Sequence, residues 1–314
     1  MPALLTHDFF GQDVWAQGAK DHLGPPEDSP LAQQVYELFL LGNQGPDPFF
    51  YLQRVPRFVQ GKRFGSLLHT ERVNETIESF QRIALCMPQP QQTLLKAYLM
   101  GFICHYALDS TAHPLVYAQQ YAICDAGVKG LDRRDGNTVH VQMEADLDMM
   151  LLRQRRGLGP REYNYTLEVL QVSEDLLALL ASAYTAMTHE VHHNNYPAQT
   201  FSQGVRDMRL TIRLLYSPRG IKRALIGGAE RLFSRHSFAQ ALSPRCDVGE
   251  TCDFDNHEHA AWTNPFTGAV STASFADLYA QAITAAITNC TTVLEGHPAS
   301  QITHNLDFHG APLS

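Results

Sequence analysis

Residues 93–109 place the tightest constraint on this chain. Leu94, Leu95, Tyr98, Leu99, Met100, Phe102, Ile103, Tyr106 and Leu108 put apolar side chains on every face of a helix. A helix without a polar face has to lie in the middle of a domain. Yet His105, Asp109 and His113 stand in or directly after this stretch, at i, i+4 and i+8, which a helix lines up as one stripe. An ionised Asp in such surroundings costs several kcal/mol unless it is paired or bound to a metal. Two readings follow: a buried Asp–His hydrogen-bonded pair, or a metal site.

A second segment repeats the device. His140 and Glu144 in Val139-His140-Val-Gln-Met-Glu144 are again i, i+4, and His140 follows His105 by 35 residues. A lone pair of this kind is often only a solvated pair. Two such pairs on successive helices are how helical bundles build polynuclear metal sites. Upstream lie three more candidate groups: His7, Asp47 between Pro46 and Pro48, and His69. Taken singly, Asp47 reads as a turn aspartate and His69 as a satisfied histidine at a helix start. Histidine is abundant, 15 in 314 residues, which directs attention to metal.

The rest of the pattern is helical. Asp28-Ser29-Pro30 is a helix start, with a capping side chain before a proline in the first turn, and Gly42 marks that helix's end. Apolar spacing predicts helices over 73–86, 138–154, 164–189, 203–216, 219–234 and 273–294. The stretches 42–66, 111–137 and 243–272 read as loops. Strand-like alternation is scarce, so the chain is expected to be all-α, a multi-helix single domain over residues 1–314.

Net charge is −8, and the nearest approach to a basic block is Arg153, Arg155 and Arg156, which reads as the favourable basic end of a helix. Nucleic acid is therefore not an expected partner. No run of 18 apolar residues is present, so no transmembrane segment is expected. The start of the chain has no secretory pattern, and the six cysteines are read as reduced thiols of a cytoplasmic protein.

The order His7, Asp47 in an Asp-Pro-Phe turn, His69, His105-Tyr-x-x-Asp109, His113, then His140-x-x-x-Glu144 resembles the zinc-dependent phospholipase C family, and more distantly the zinc single-strand nucleases. It covers residues 1–150 well. Asn256-His-Glu-His259-x-x-Trp262-x-Asn264-Pro265 and Ser274-Phe-x-x-Leu-Tyr279 look like the family's intracellular bacterial branch. The resemblance implies an α-helical fold, zinc, in two to three ions, and hydrolysis of a small-molecule or lipid phosphodiester. It implies that Asp109 bridges two zincs, with His69 and His105 completing one and His7 holding the other. His113, His140 and Glu144 would hold the third, and Asp47 would orient or deprotonate the attacking water. Such chemistry suits imidazole and carboxylate ligands.

This chain departs from the family in two places. His113 follows Asp109 at a shorter spacing than usual. The family's N-terminal ligand is the amine and carbonyl of a mature Trp, whereas this sequence begins Met-Pro. Removal of Met1 would expose the Pro2 amine as a candidate chelator beside His7; the plainer reading is His7 acting alone.

Two weaker clusters carry alternatives. His189, His192 and His193 read as the polar end of a helix. Cys246 and Cys252 with His257 and His259 match no standard zinc finger, and these two histidines could instead line the mouth of a site. The rival functions are a non-catalytic metal-binding protein that keeps the fold, and a nuclease or phosphatase of the same fold.

Overall fold

The computed structural model describes residues 3–23, 29–52, 61–194 and 196–313. Pro2 and Asp28, both singled out in the sequence, lie outside the described residues. The elements are α1 (Leu4–Ala16), α2 (Pro30–Gly42), a 3-10 turn (Asp47–Tyr51), α3 (Gly61–Thr70), α4 (Val73–Cys86), α5 (Gln91–Asp125), α6 (Gly136–Arg156), α7 (Glu174–His192), α8 (Thr200–Leu215), α9 (Ile221–Glu230), α10 (Phe238–Ala241), α11 (Phe275–Leu294) and α12 (Ser300–Thr303). Among the described residues the strands are β1 (Trp262–Thr263) and β2 (Val270–Ser271), one short antiparallel pair. The fold is all-α. None of the described helices is long and apolar enough to cross a membrane.

The chain divides into two compact units. One comprises Met1–Thr6, Ala112–Val169 and Leu210–Tyr279; the other comprises His7–Thr111, Leu170–Arg209 and Ala280–Ser314.

In the second of these, the organising feature is the crossing of α2 over α5. A Cβ on Gly101 would fall 2.0 Å from the Phe39 carbonyl oxygen, and one on Gly42 would fall 2.3 Å from the Tyr98 carbonyl oxygen. Two bare backbones therefore touch where any other residues would hold the helices apart. Around the crossing lies an aromatic core: Tyr184 stacks on Phe201 at 4.1 Å between ring centroids, and the Tyr98 and Tyr184 hydroxyls share a 2.6 Å hydrogen bond. The sequence start signals hold where the side chains are seen. Ser29 accepts from the Ala32 N–H at 3.1 Å, with Pro30 in the first turn. The helix expected over 164–189 begins later, at Glu174, because Ser173 caps it through the Leu176 N–H at 3.3 Å.

Helix α5 corrects the first part of the sequence reading of 111–137 as loop, since it continues to Asp125. It runs 35 residues and passes through Pro114. The proline removes one N–H, and the helix around it is buried on nearly every side, so packing outweighs the lost bond. Helix α1 was not anticipated either. Leu4, Leu5, Phe9, Phe10 and Val14 are buried around its whole circumference, and a helix buried on all sides gives no amphipathic period to read.

In the first unit, Asp148 of α6 caps the start of α1 from outside. Its carboxylate accepts from the Thr6 N–H at 2.7 Å and the Thr6 hydroxyl at 2.8 Å, which satisfies orphan donors of a helix N-terminus. Burial pushes the Asp148 carboxyl up to about 7 against those hydrogen bonds. An acid raised on folding contributes stability that is fully present below its unfolded pKa and is lost as pH rises through the folded value. Stability should therefore decline between about pH 4 and pH 7 through this group, and Asp148→Asn should flatten that slope in urea unfolding measured across the range. Asp148→Ala, which leaves buried donors unmatched, should cost about 2 kcal/mol near pH 4 and less as pH rises, since it too removes the titrating group, in the same measurement.

Candidate metal centre

Five sequence candidates meet in the second unit. The α2–α5 crossing carries the chain from Gly42 into a tight turn alongside His105. Gly45 has φ +48°, and a Cβ there would lie 2.4 Å from the His105 ring, so both its backbone and its lack of a side chain are required. The turn delivers Asp47 at the start of the 3-10 segment. His7 comes from α1, His69 from the last turn of α3, and His105 and Asp109 from α5, and all five are buried.

Their ligand atoms fall into two overlapping groups, His7 with His105 and Asp109, and Asp47 with His69 and His105; within each the atoms lie within 4.8 Å of one another. His7 Nε2 is 3.1 Å from Asp109 Oδ1, while His105 Nε2 is 3.1 Å from the other oxygen, Oδ2. His69 Nε2 is 3.3 Å from Asp47 Oδ1 and 3.9 Å from Asp109 Oδ2. Asp109 thus presents one oxygen to each of two imidazoles, and His105 belongs to both groups.

The third group lies in the first unit. His113 of α5, with His140 and Glu144 of α6, again brings its ligand atoms within 4.8 Å of one another. His113 Nε2 and His140 Nε2 are each 3.4 Å from Glu144 Oε1. His113 reaches this group because α5 continues through Pro114, so the short spacing from Asp109 does not remove it.

The outer nitrogens show whether these sites suit a metal. His105 Nδ1–H donates to the Asn43 carbonyl at 3.0 Å and His69 Nδ1–H to the Gly65 carbonyl at 2.7 Å. A carbonyl can only accept, so the proton of a neutral ring sits on Nδ1, and Nε2 turns a lone pair inward. His140 Nδ1 likewise meets Gln120 Oε1 at 2.8 Å. This is the outer support that metal-bound histidines have. His105 Nε2 is fully buried and, although 3.1 Å from Asp109, is not aligned to donate to it and has no other hydrogen-bond partner among the described residues. Two lone pairs facing one another at that distance require a proton or a cation between them. The set of imidazole and carboxylate donors fits zinc.

Protonation behaviour in the metal-free chain agrees. Burial alone would lower His105, but the Asp109 carboxylate outweighs it and the ring is held above its ordinary value. Burial, reinforced by His105, keeps His7 below it. Burial would raise Asp47, yet the His69 hydrogen bond and the His105 charge bring it below the usual carboxylate range. Glu144 is held well below that range against its burial by the His140 and His113 imidazoles, while burial lowers His140 itself.

The zinc-dependent phospholipase C family model matches residues 6–194, more than half of the chain, and that span contains all eight candidate residues. The chain belongs to the zinc-dependent phospholipase C family. Comparison with curated proteins and with solved structures gives no match.

The family's ligand pattern leaves aside residues that hold these ligands in place. Asn43, Gly65 and Gln120 fix the imidazoles, and Phe308 packs on the His69 ring at 4.9 Å while its N–H donates to the His69 carbonyl at 3.0 Å. The weaker clusters join none of the three groups. Glu190, beside His189, pairs with Arg82, and His192 packs edge-on against Phe64. Cys246 donates to the Ser217 carbonyl, His257 pairs with Asp255 at 2.6 Å, and His259 Nδ1 meets the Thr272 carbonyl.

Two substitutions separate the groups. Asp109→Asn should remove at least one zinc, since an amide offers one neutral oxygen in place of two anionic ones; full metal content by mass spectrometry would show that Asp109 is not shared. Gln120→Ala should weaken binding of one zinc by about 10- to 100-fold in a chelator competition and leave the ions at the Asp109 groups unchanged.

Proposed function

We propose that this chain is a zinc-dependent phosphoric ester hydrolase of the phospholipase C type, acting on a small-molecule or lipid phosphodiester. The observation that carries the reading is the convergence of eight buried His, Asp and Glu residues into three groups, with the His69, His105 and His140 imidazoles anchored through their outer nitrogens. Both units supply parts of the family's 6–194 span, and each is built from three interleaved stretches, which supports treating 1–314 as one domain.

Two to three zinc ions are expected, with His7, His69, His105 and Asp109 holding two and His113, His140 and Glu144 the third. Zinc at these positions supplies Lewis acidity, lowering the pKa of water and neutralising charge on the phosphoryl oxygens. The protein's own part is positioning and proton handling. Asp109 would offer one oxygen on the His7 side and the other on the His105 side, so that it could serve both centres. Asn43 and Gly65 hold the His105 and His69 rings so that both Nε2 atoms stay inward. Asp47 is the group that takes a proton. Its carboxylate is ionised, buried and aimed into the group by the Gly45 turn, and its Oδ1 lies 3.3 Å from His69 Nε2. That puts it in reach of a water held between these residues, to orient it and accept its proton as phosphorus is attacked in line.

All six cysteines are free, including Cys104 and Cys290, whose sulfurs stand 3.7 Å apart, and this supports a reducing, cytoplasmic setting.

Turnover on phosphodiester and phosphomonoester test substrates discriminates among the readings. Wild type should cleave diesters, and Asp47→Asn should retain its zinc while losing at least about 100-fold in kcat, because an amide cannot accept the water's proton. Zinc loss in that variant would make Asp47 a ligand, preference for single-stranded nucleic acid would favour the nuclease, and bound zinc without turnover in wild type would favour the non-catalytic protein.

A further inference from the structure

Helix α9 is built inside out. Ile221, Ala224, Leu225 and Gly228 are exposed, whereas Arg223 and Glu230 turn inward. Arg223 donates from Nε to the Ser243 carbonyl at 2.9 Å and from a terminal nitrogen to Gln142 at 2.6 Å. Glu230 accepts from the Ser237 hydroxyl at 2.6 Å and the Ala239 N–H at 3.0 Å. A helix at a protein surface ordinarily presents the opposite face. The side chains left in water are large: Ile221 is 64% exposed, Leu225 70%, and in the turn after the helix Leu232 is 78% and Phe233 93%. Leu210 and Leu214, at the end of α8, continue the set.

The same stretch is basic. Residues 210–235 hold six Arg or Lys against one acid, in a chain whose net charge is −8. Arg213, Arg219, Lys222, Arg223 and Arg231 make no ion pair among the described residues, and only Arg235 reaches a carboxylate, Asp132 at 3.4 Å. The sequence pattern concealed this, since the cations are spaced out rather than consecutive and Arg153, Arg155 and Arg156 look more like a block.

We propose that α9 and the turn after it dock on the surface of an anionic lipid bilayer, with Ile221, Leu225, Leu232 and Phe233 entering the acyl boundary and Arg219, Lys222 and Arg231 lying at the level of the lipid phosphates. Apolar side chains ringed by unpaired cations are the composition that binds an interface of this kind. Nucleic acid would use the cations but leave Phe233 and Leu225 in water. A two-fold contact between copies would set Arg219, Lys222 and Arg231 against their own images, which like-charge repulsion opposes. The surface stands independently of the metal chemistry, and its test reads binding rather than turnover.

Co-sedimentation with vesicles at about 0.1 M salt tests it, comparing phosphatidylcholine alone with phosphatidylcholine carrying a quarter phosphatidylserine. The wild-type chain should partition at least about tenfold more strongly onto the anionic vesicles, with each of Lys222→Gln and Arg231→Gln lowering that partition about fivefold. Leu225→Gln with Phe233→Gln should reduce it by about tenfold or more, while Leu85→Gln, at an exposed leucine on α4, should leave it unchanged. Because every substituted side chain is exposed, the variants should fold like wild type in circular dichroism. Equal partition onto both vesicle types, or full partition in the Leu225/Phe233 variant, would overturn the proposal. So would a concentration-dependent dimer in sedimentation velocity that Leu225→Gln dissolves, or duplex DNA binding unaffected by the same double substitution combined with no anionic-vesicle binding.

Discussion

The buried carboxylate of Asp109 sets terms that the surrounding residues have to meet. It sits in a stretch of α5 buried on every face, where an ionised group has little solvent to stabilise it. One oxygen faces His7 and the other faces His105, each at 3.1 Å, and His105 turns its hydrogen-bearing nitrogen away to Asn43. The inward nitrogen is thereby left as a lone pair opposite a negative oxygen. A proton can occupy that place in the bare chain; a divalent cation satisfies several such contacts at once. Much of the local backbone follows from this need. Gly42 and Gly101 let α2 and α5 touch, so that the Asn43 carbonyl reaches the ring, and Gly45 turns the chain so that Asp47 arrives on the same imidazoles.

Outer support of the same kind recurs at Glu144, where two imidazoles meet one oxygen and Gln120 holds His140. The two regions use the same chemistry on different scaffolding. Backbone carbonyls orient the rings around Asp109 and Asp47, and a side-chain amide does so at His140. A carbonyl within a packed helix turn is fixed by the fold, whereas Gln120 is set by its own packing, so the third group is the one most open to change by substitution.

The stripe His105, Asp109, His113 and the pair His140, Glu144 were legible because helical spacing alone puts such residues on one face. His7, Asp47 and His69 were legible mainly through their order, since nothing local distinguishes a turn aspartate from a ligand. What could not be read came from contacts distant in sequence. Asp148 capping α1 joins residues 142 positions apart, and the Phe308 packing on His69 joins residues still farther apart in sequence. Helix α1 and the second half of α5 were missed because local rules failed there: the first lacks an amphipathic period and the second contains a proline that its buried surroundings overrule. The inside-out α9 was predicted as a helix, but which face it buries is settled by the partners of Arg223 and Glu230, not by its spacing.

All of this depends on the three groups being places for metal rather than buried hydrogen-bonded networks. The most direct measurement is the zinc content per chain, by mass spectrometry, of protein expressed with added zinc and freed of loosely bound ions. The arrangement of Asp109 between two imidazoles, with His113, His140 and Glu144 as a further group, predicts two to three zinc ions per chain. A content of one or fewer would contradict it.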